Sequence, residues 1–441
     1  MMNKTFLVFL FIGSVVFAQN DTIGIKTVGF NPDFSYKMLD QNQNLRKVNI
    51  LLEERKNGAI QNNRLIIGSS LISIFDYQRS NTDSKFAYLM RHPTANNQIG
   101  KSVSEAVIHS FQFSITATVN SWITTHAELL YNPEQSFGAG TITTLSRNQV
   151  QLRKGFVVFG DLNSFPLYGA IGKMDAPFGQ TGSVSPFTNS TMWHAFGGLG
   201  YGLQVGYTKG GFHAKFMAVQ GGAQFRAMHT PVGDGTNVPS KLNNFVGDVN
   251  YNFNISEKVN LLLGASYLHG SAYCQGFPVT HFSPCQDNNP AYTYYGTLTV
   301  NDRLILKGGF AKTSDVWDGT FNPTPPLNVF EAAKVSSLDF GAKYDLNQSD
   351  KVRYTISGEF SNFRAGAEGS PWERQSQIVL GLAALMNKSA KLFVEVFRTE
   401  GFAPLNFISG SADFQPFAPG TTHSVADANS IGIVVGAQIS F

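Results

Sequence analysis

The sequence predicts an all-β fold: a transmembrane antiparallel up-and-down β-barrel of about sixteen strands, preceded by a short N-terminal helix. Three observations predict it. Apolar and polar residues alternate with a period of two in segment after segment, the connections between these segments alternate in length, and only 14% of the residues are charged. Ordinary domains carry roughly 25% charged residues. Strands that hide apolar residues at every second position explain low charge without long apolar runs.

The segment 429–441 shows the alternation clearly, with apolar residues at one parity, small or polar residues at the other, and Val434 as the exception. A transmembrane strand needs about 9–11 residues, which this segment supplies. A final strand that ends in Phe441 resembles the sorting signal of bacterial outer-membrane barrels, so we expect the barrel-assembly machinery as a partner. The strand must pair with the first one, because an open edge in lipid leaves backbone groups without partners.

Residues 1–18 have the pattern of a cleaved signal peptide. Lys4 is followed by an apolar stretch over 6–17, and Ala18 completes a small-x-small cleavage motif. The alternative is a membrane anchor, which needs roughly 20 apolar residues. We therefore expect export to the bacterial outer membrane, with its lipid as the surrounding partner. The formal charge of +3 gives no reason to expect a nucleic acid.

Residues 19–62 are predicted to form an N-terminal periplasmic segment with one helix over 34–57. Met38 and Leu52 belong to an apolar pattern with seven-residue spacing, and Gly58 stands where the helix would end. Three roles are open: packing in or under the barrel mouth, pairing with copies of itself in a homo-oligomer, or a structural role alone.

The barrel is predicted over 63–441, and alternation together with turn residues defines its strands. They cover 63–79, 108–119, 121–132, 147–160, 166–175, 200–208, 211–222, 242–255, 257–269, 290–300, 302–312, 334–346, 351–363, 375–386, 389–399 and 429–441. Short turns such as Asn301-Asp302 alternate with long connections such as 80–107 and 270–289. Short periplasmic turns and long external loops are typical of outer-membrane barrels, whereas a soluble β-sandwich or propeller gives no reason for them.

Cys274 and Cys285 lie in one such loop-like stretch of a chain predicted to be exported. They predict a surface disulfide. The alternative of a metal site lacks further ligands at suitable spacing. We expect neither a metal nor another cofactor.

If the apolar parity of each strand faces lipid, the other parity lines the lumen. On neighbouring strands this parity brings basic and polar residues to one wall, which we predict to contact the solute: Arg147, Gln149, Gln151, Arg153, Lys173, Asp175, His213 and Lys215. Later strands carry a mixed set with more acid, so the two walls would set up a field across the pore. The alternative is that these charges are solvated and paired with one another.

The connection 176–199 is the candidate for a constriction of the lumen. It is rich in Gly, Ser and Thr and carries large apolar side chains: Phe178, Phe187, Met192, Trp193 and Phe196. Such side chains are improbable on a free surface loop, and folding inward would bury them. The competing interpretation is an external loop that packs on its neighbours.

The stretch 166–180, PLYGAIGKMDAPFGQ, resembles the corresponding region of the LbtU-type siderophore porins and, more loosely, that of the phosphate-selective porins. The likeness extends over most of the predicted barrel, and the N-terminal helix is similar to the periplasmic coil of the siderophore-porin group. The resemblance implies a porin whose solutes include anions or ferric siderophores. The ladder of lysines and arginines in phosphate-selective porins is denser than the one found here.

Nothing in the sequence indicates an enzyme. Its histidines are scattered, and no HxxEH or GxSxG pattern lies near any of them. His126 and Glu128 share a predicted lumen face, but a lone pair of this kind is typical of a pore lining. We predict a passive diffusion channel for small polar solutes. The alternatives are a transporter of hydrophobic compounds and a surface-binding barrel with no open pore.

Overall fold

The computed structural model describes residues 27–40, 46–86, 100–131, 150–220, 241–274, 288–347, 349, 351–403 and 420–441. Its strands are β1 (Thr27–Phe30), β2 (Arg64–Ser80), β3 (Ser102–Thr118), β4 (Ile123–Tyr131), β5 (Val150–Phe159), β6 (Leu167–Asp175), β7 (Leu199–Lys209), β8 (Phe212–Gln220), β9 (Leu242–Ser256), β10 (Val259–Leu268), β11 (Ala291–Val300), β12 (Leu304–Thr313), β13 (Ser336–Asp345), β14 (Val352–Arg364), β15 (Arg374–Met386), β16 (Ala390–Phe402) and β17 (Val425–Ser440). Its helices are α1 (Pro32–Leu39), α2 (Lys47–Lys56) and α3 (Thr191–Phe196), with short 3₁₀ turns at Asp318–Thr320 and Leu327–Val329.

Strands β2 to β17 form a closed antiparallel barrel of sixteen strands. Each strand pairs with its neighbours in sequence, and β17 closes the barrel by pairing with β2 from Ser430 to Ser440. The N–H of Phe441 donates to the carbonyl oxygen of Ser69 at 3.0 Å, and the N–H of Ser69 donates to the carbonyl oxygen of Phe441 at 2.7 Å. The predicted all-β barrel, its strands and its closure onto the final segment are confirmed.

Strand β1 lies beyond the point where β17 ends. It pairs in parallel with residues 64–67 of β2, which extend past the last residue of the chain. The ring of Phe30 lies 6.3 Å from that of Phe441. This short strand covers backbone groups of β2 that would otherwise form an open edge.

The alternation predicted from sequence separates an apolar outside from a polar inside. On β3, Phe111 and Ile115 are exposed, whereas Gln112 and Ser114 are buried. The same alternation exposes large apolar side chains on β14 and β17, among them Tyr354, Ile356, Phe360, Ile431, Val435 and Ile439. The inward side chains are buried because other parts of the chain occupy the interior.

One part of the inner wall departs from this rule. Inward side chains of β5, β6 and β8 are apolar and buried, including Phe156, Val158, Tyr168 and Met217. They belong to the same hydrophobic cluster as residues of α1, α2 and the connection 176–199. An apolar inner wall excludes water only if something covers it, and these segments do so.

The single helix predicted over 34–57 is wrong in its extent, because the segment forms two helices. The side chain of Asn31 accepts a hydrogen bond from the N–H of Phe34 at 3.1 Å and begins α1. Asp40, with φ −67° and ψ 119°, ends it. Within the described ranges, no helix has the length and apolar character to cross a membrane.

The signal peptide predicted over 1–18 lies outside the described part of the chain, and so does Cys285, one half of the predicted disulfide. Cys274 is disulfide-bonded.

Candidate functional site

The barrel interior contains a cavity of about 690 Å³. Helices α1 and α2 bound it on one side, residues 177–186 on another, and inward side chains of β8 to β16 form the remaining wall. It reaches the end of the barrel where the short turns lie, since Asp302 of the β11–β12 turn is part of its lining. The volume is within the range of about 300–1,000 Å³ that small-molecule sites occupy.

The connection 176–199 crosses the interior beside this cavity. The N–H of Gly179 donates to Ser266 on β10 at 2.9 Å, and Thr297 on β11 donates to the side chain of Gln180 at 2.6 Å. Helix α3 then packs against β12, β13 and β14 before the chain returns to β7. The predicted constriction residues are all buried in the interior: Phe178, Phe187, Trp193 and Phe196.

Two carboxylates hold this connection against the far wall. Glu395 on β16 accepts hydrogen bonds from the N–H groups of Phe187 at 2.6 Å and Thr188 at 3.0 Å, and from the Thr188 hydroxyl at 2.5 Å. Glu359 on β14 accepts one from the N–H of Val184 at 2.8 Å. These acids belong to the later strands, on which the sequence predicts a mixed set of charges with more acid, and in the structure they position the loop.

Arg153 and Gln151 of the predicted basic wall lie on β5, and Arg147 and Gln149 lie outside the described residues. Arg153 is buried, with Nε 3.6 Å from Oε1 of Glu128 on β4. Gln151 stands opposite Leu130, which is buried on the inner side. The inward position of these two side chains agrees with their predicted parity.

A β-bulge brings a further cation to this place. The register between β4 and β5 shifts at Glu128/Leu129, so that Lys154 as well as Arg153 is buried inside. Lys154 forms an ion pair with Asp175 at 2.6 Å, and Lys47 of α2 forms one with Glu128 at 2.5 Å. These groups therefore form a paired cluster between the wall and the N-terminal segment.

Lys173 lies on the outer face of the barrel, contrary to the prediction. It stands opposite the exposed Tyr201 of β7, with Nζ 5.7 Å from the centroid of that ring. Its ammonium group donates to the carbonyl oxygen of Leu152 at 3.0 Å. The exposed Leu167 and Ile171 share its parity on β6, and this parity, not the charge of Lys173, determines its face.

His213 and Lys215 of β8 do line the cavity. Lys215 stands directly opposite Asp248 of β9. Nδ1 of His213 lies 3.2 Å from the hydroxyl oxygen of Thr208. Of the predicted solute contacts, these two side chains are the ones that the described structure places in the lining.

The larger group of cavity cations lies on the opposite wall, below the carboxylates that hold the loop. It comprises Lys307 on β12, Lys343 on β13, Arg353 on β14 and Lys391 on β16. Lys307 lies 3.6 Å from Asp339, and Lys391 donates to the carbonyl oxygen of Pro186 at 2.7 Å. Among the described residues, the ammonium group of Lys343 has no hydrogen-bond or ion-pair partner. The first three of these cations belong to the mixed set of charges that alternation assigns to the lumen on the later strands, and Lys391 shares the buried parity of Glu395 on β16.

Five acidic residues share the cavity lining: Asp40, Glu53, Asp248, Asp302 and Asp345. Asp248 accepts hydrogen bonds from Ser266 and Tyr295, both at 2.6 Å. The described part of the chain holds no group of three or more His, Cys, Asp and Glu side chains that could bind a metal ion. The cavity is thus a polar site of mixed charge that suits a hydrated solute.

No family model matches the chain. A curated relative, a UPF0422 protein of Coxiella burnetii, is 26% identical over 277 residues, which cover 60% of this chain and 53% of the relative. The chain therefore spans about half the length of the curated relative it matches.

OprB and OmpF are among the solved structures that resemble the barrel. OprB of Pseudomonas putida superimposes with a TM-score of 0.52 at 10% identity, over 85% of this chain and 94% of that one. OmpF of Salmonella typhi, in complex with daunomycin, gives 0.50 at 12% identity, over 86% and 97%. At such low identities the likeness shows the fold alone, which is a large closed antiparallel β-barrel.

Proposed function

We propose that the protein is a passive channel of the bacterial outer membrane that admits small polar solutes and catalyses no reaction. The observation that carries the proposal is the closed barrel with an apolar outside and a polar cavity inside. Such a barrel satisfies every backbone group of its wall in lipid and leaves its lumen to water. The loop 176–199 forms the constriction of this channel.

The cavity favours anions over cations to a modest degree. Six basic residues line it, namely Arg46, Lys215, Lys307, Lys343, Arg353 and Lys391, against the five acidic ones. The Lys343 ammonium is available to a solute, whereas Asp248 is held by hydroxyl donors. Rings and rows of such charges set selectivity in pores. Anionic iron chelates, which the resemblance of 166–180 implies, belong to the proposed solute class.

A transporter of hydrophobic compounds is less well supported. The apolar residues of the inner wall, such as Phe156 and Tyr168, pack against the N-terminal helices in one cluster. They are therefore occupied by the protein itself and offer an apolar solute no surface.

The test is the reversal potential of the purified protein in planar bilayers under a KCl gradient. The wild-type channel should give discrete current steps with anion preference, and Lys343→Glu should move the reversal potential toward cation preference. Lys173→Glu, which changes the same charge on the outer face, is the matched control and should leave the potential where it was. Absence of any current step would refute the channel, and an unchanged potential in Lys343→Glu would refute the anion preference.

A further inference from the structure

The N-terminal segment lies inside the barrel, where a buried ion pair holds it against the wall. Lys47 of α2 and Glu128 of β4 form this pair, and their side chains are 3% and 1% exposed. Removing one partner from such a pair leaves a buried charge without compensation, which is strongly unfavourable. The pair therefore opposes withdrawal of α2 from the lumen.

Apolar packing holds the same segment along its length. Phe34 and Met38 of α1 and Leu51 of α2 are buried in the hydrophobic cluster that contains Phe156 and Tyr168 of the inner wall. Withdrawal of the helices would expose both apolar surfaces to water. This buried apolar contact therefore favours a segment that stays in the lumen over one that enters and leaves it.

A third set of contacts lies at the rim of the barrel. The guanidinium of Arg55 donates to the Thr124 hydroxyl and to the carbonyl oxygen of Asn120 in the β3–β4 turn. This anchor is at the end of α2, so the helix is fixed both in the interior and at the mouth.

The other face of α2 is polar and borders the cavity. Arg46, Asn49 and Glu53 line it, and their spacing of three and four residues places them on one side of the helix. Arg46 Nη2 lies 3.6 Å from Glu53 Oε2. Across the cavity stand the cations of β12 to β14, among them Lys343.

We infer that the N-terminal segment is a fixed wall of the pore and not a gate, and that the polar face of α2 helps to determine which solutes pass. The inference rests on the proposed channel function. A solute that crosses the cavity passes between Arg46 and Glu53 on one side and the basic residues of β12 to β14 on the other. The wall of this barrel is therefore not made of strands alone.

A disulfide lock tests whether the segment moves. The hydroxyl groups of Ser35 on α1 and Ser114 on β3 both lie close to Gly68, at 2.5 and 2.8 Å from the position that a Cβ would take there. Ser35→Cys combined with Ser114→Cys should cross-link α1 to the barrel without touching the cavity lining, and mass spectrometry confirms the bond. The oxidised variant should conduct as the wild type does, before and after reduction. Closure on oxidation and recovery on reduction would overturn the inference; wild-type protein treated with the same reductant is the control.

Charge substitutions on α2 test specificity without any cross-link. Glu53→Gln should raise the anion-to-cation permeability ratio about twofold at low salt and Arg46→Gln should lower it by a similar factor, because one unit charge changes at the border of the path. Glu54→Gln is the matched control, since Glu54 binds Lys37 and is not part of the lining. If current steps persist but the permeability ratios of Glu53→Gln, Arg46→Gln and the control are equal, the role of α2 is refuted. Loss of current in every protein, the wild type included, would instead count against the channel itself.

Discussion

Glu395→Gln should release the constriction loop while it leaves the barrel intact. The carboxylate of Glu395 accepts hydrogen bonds from two N–H groups and one hydroxyl of Phe187 and Thr188. Glutamine has the same shape and one acceptor oxygen. Its amide nitrogen would replace Oε2, which now accepts from the N–H and the hydroxyl of Thr188. At least one of these hydrogen bonds is therefore lost, and the remaining ones no longer have a charged acceptor.

The structure gives the size of the effect. A hydrogen bond to a charged group contributes about 1.5–3 kcal/mol, and the loss of a partner leaves a buried donor unsatisfied. Since Glu359 still holds Val184 at 2.8 Å, we expect docking of the loop to weaken by about 2–4 kcal/mol in total. Each 1.4 kcal/mol is about a factor of ten in an equilibrium constant, so the undocked population should rise by about 30-fold to 1,000-fold.

Single-channel recording is the appropriate assay, because an undocked loop changes the size and noise of the current. Glu395→Gln should show larger or fluctuating conductance levels, where the wild type shows one stable level. Glu400→Gln is the matched control: Glu400 is exposed on the same strand and pairs with Arg398 at 2.8 Å. Steady wild-type conductance in Glu395→Gln would refute the view that this carboxylate positions the constriction.

Two further predictions concern stability. Lys47→Ala removes the closest partner of the buried Glu128 and should lower the free energy of unfolding by about 3 kcal/mol. This value is at the low end for buried ion pairs because Arg153 remains near Glu128. Urea unfolding in lipid vesicles measures the change, and a loss below about 1 kcal/mol, which is typical of surface ion pairs, would contradict the prediction. Burial and the charge of Lys85 lower the pKa of His423 to about 4, beside an ordinary value near 6.5. The unfolded chain then binds more protons than the folded one between these values, so this contribution to stability is present above pH 6.5 and is lost as the pH falls to about 4. Thermal unfolding of wild type and His423→Asn should diverge in that window, and parallel pH profiles would contradict the assignment.

The barrel could be predicted because its determinants are local. Alternation of side chains within a strand and the lengths of the turns require no knowledge of distant residues. The predicted bounds of β2 and β15 agree with the structure to within one residue, even though both faces of these segments contain apolar residues. In β15 the inward Val379 is covered by Phe187 of the loop within one apolar cluster, which explains why its inner face is not polar.

The lumen could be predicted only in part, since its contents are held by distant contacts. Thr188 and Glu395 are 207 residues apart in sequence, and no local pattern links them. The bulge at Glu128/Leu129 changes which side chains of β5 point inward, and the parity of Leu167 and Ile171 overrides the charge of Lys173. Charge indicated which residues were polar, but strand geometry and long-range packing decided which of them reach the cavity.

Modification of a cysteine in the cavity tests the central claim most directly, namely that solute crosses the barrel beside the basic residues of β12 to β14. Lys343→Cys channels should lose current when a negatively charged thiol reagent reacts with the new side chain, because the reagent narrows the path and replaces a cation by an anion. Phe340→Cys places the new cysteine on the exposed outer face of β13, where lipid keeps the charged reagent away, and treatment should leave the current unchanged. Full modification of Lys343→Cys, confirmed by mass spectrometry, with no change in current would contradict the account.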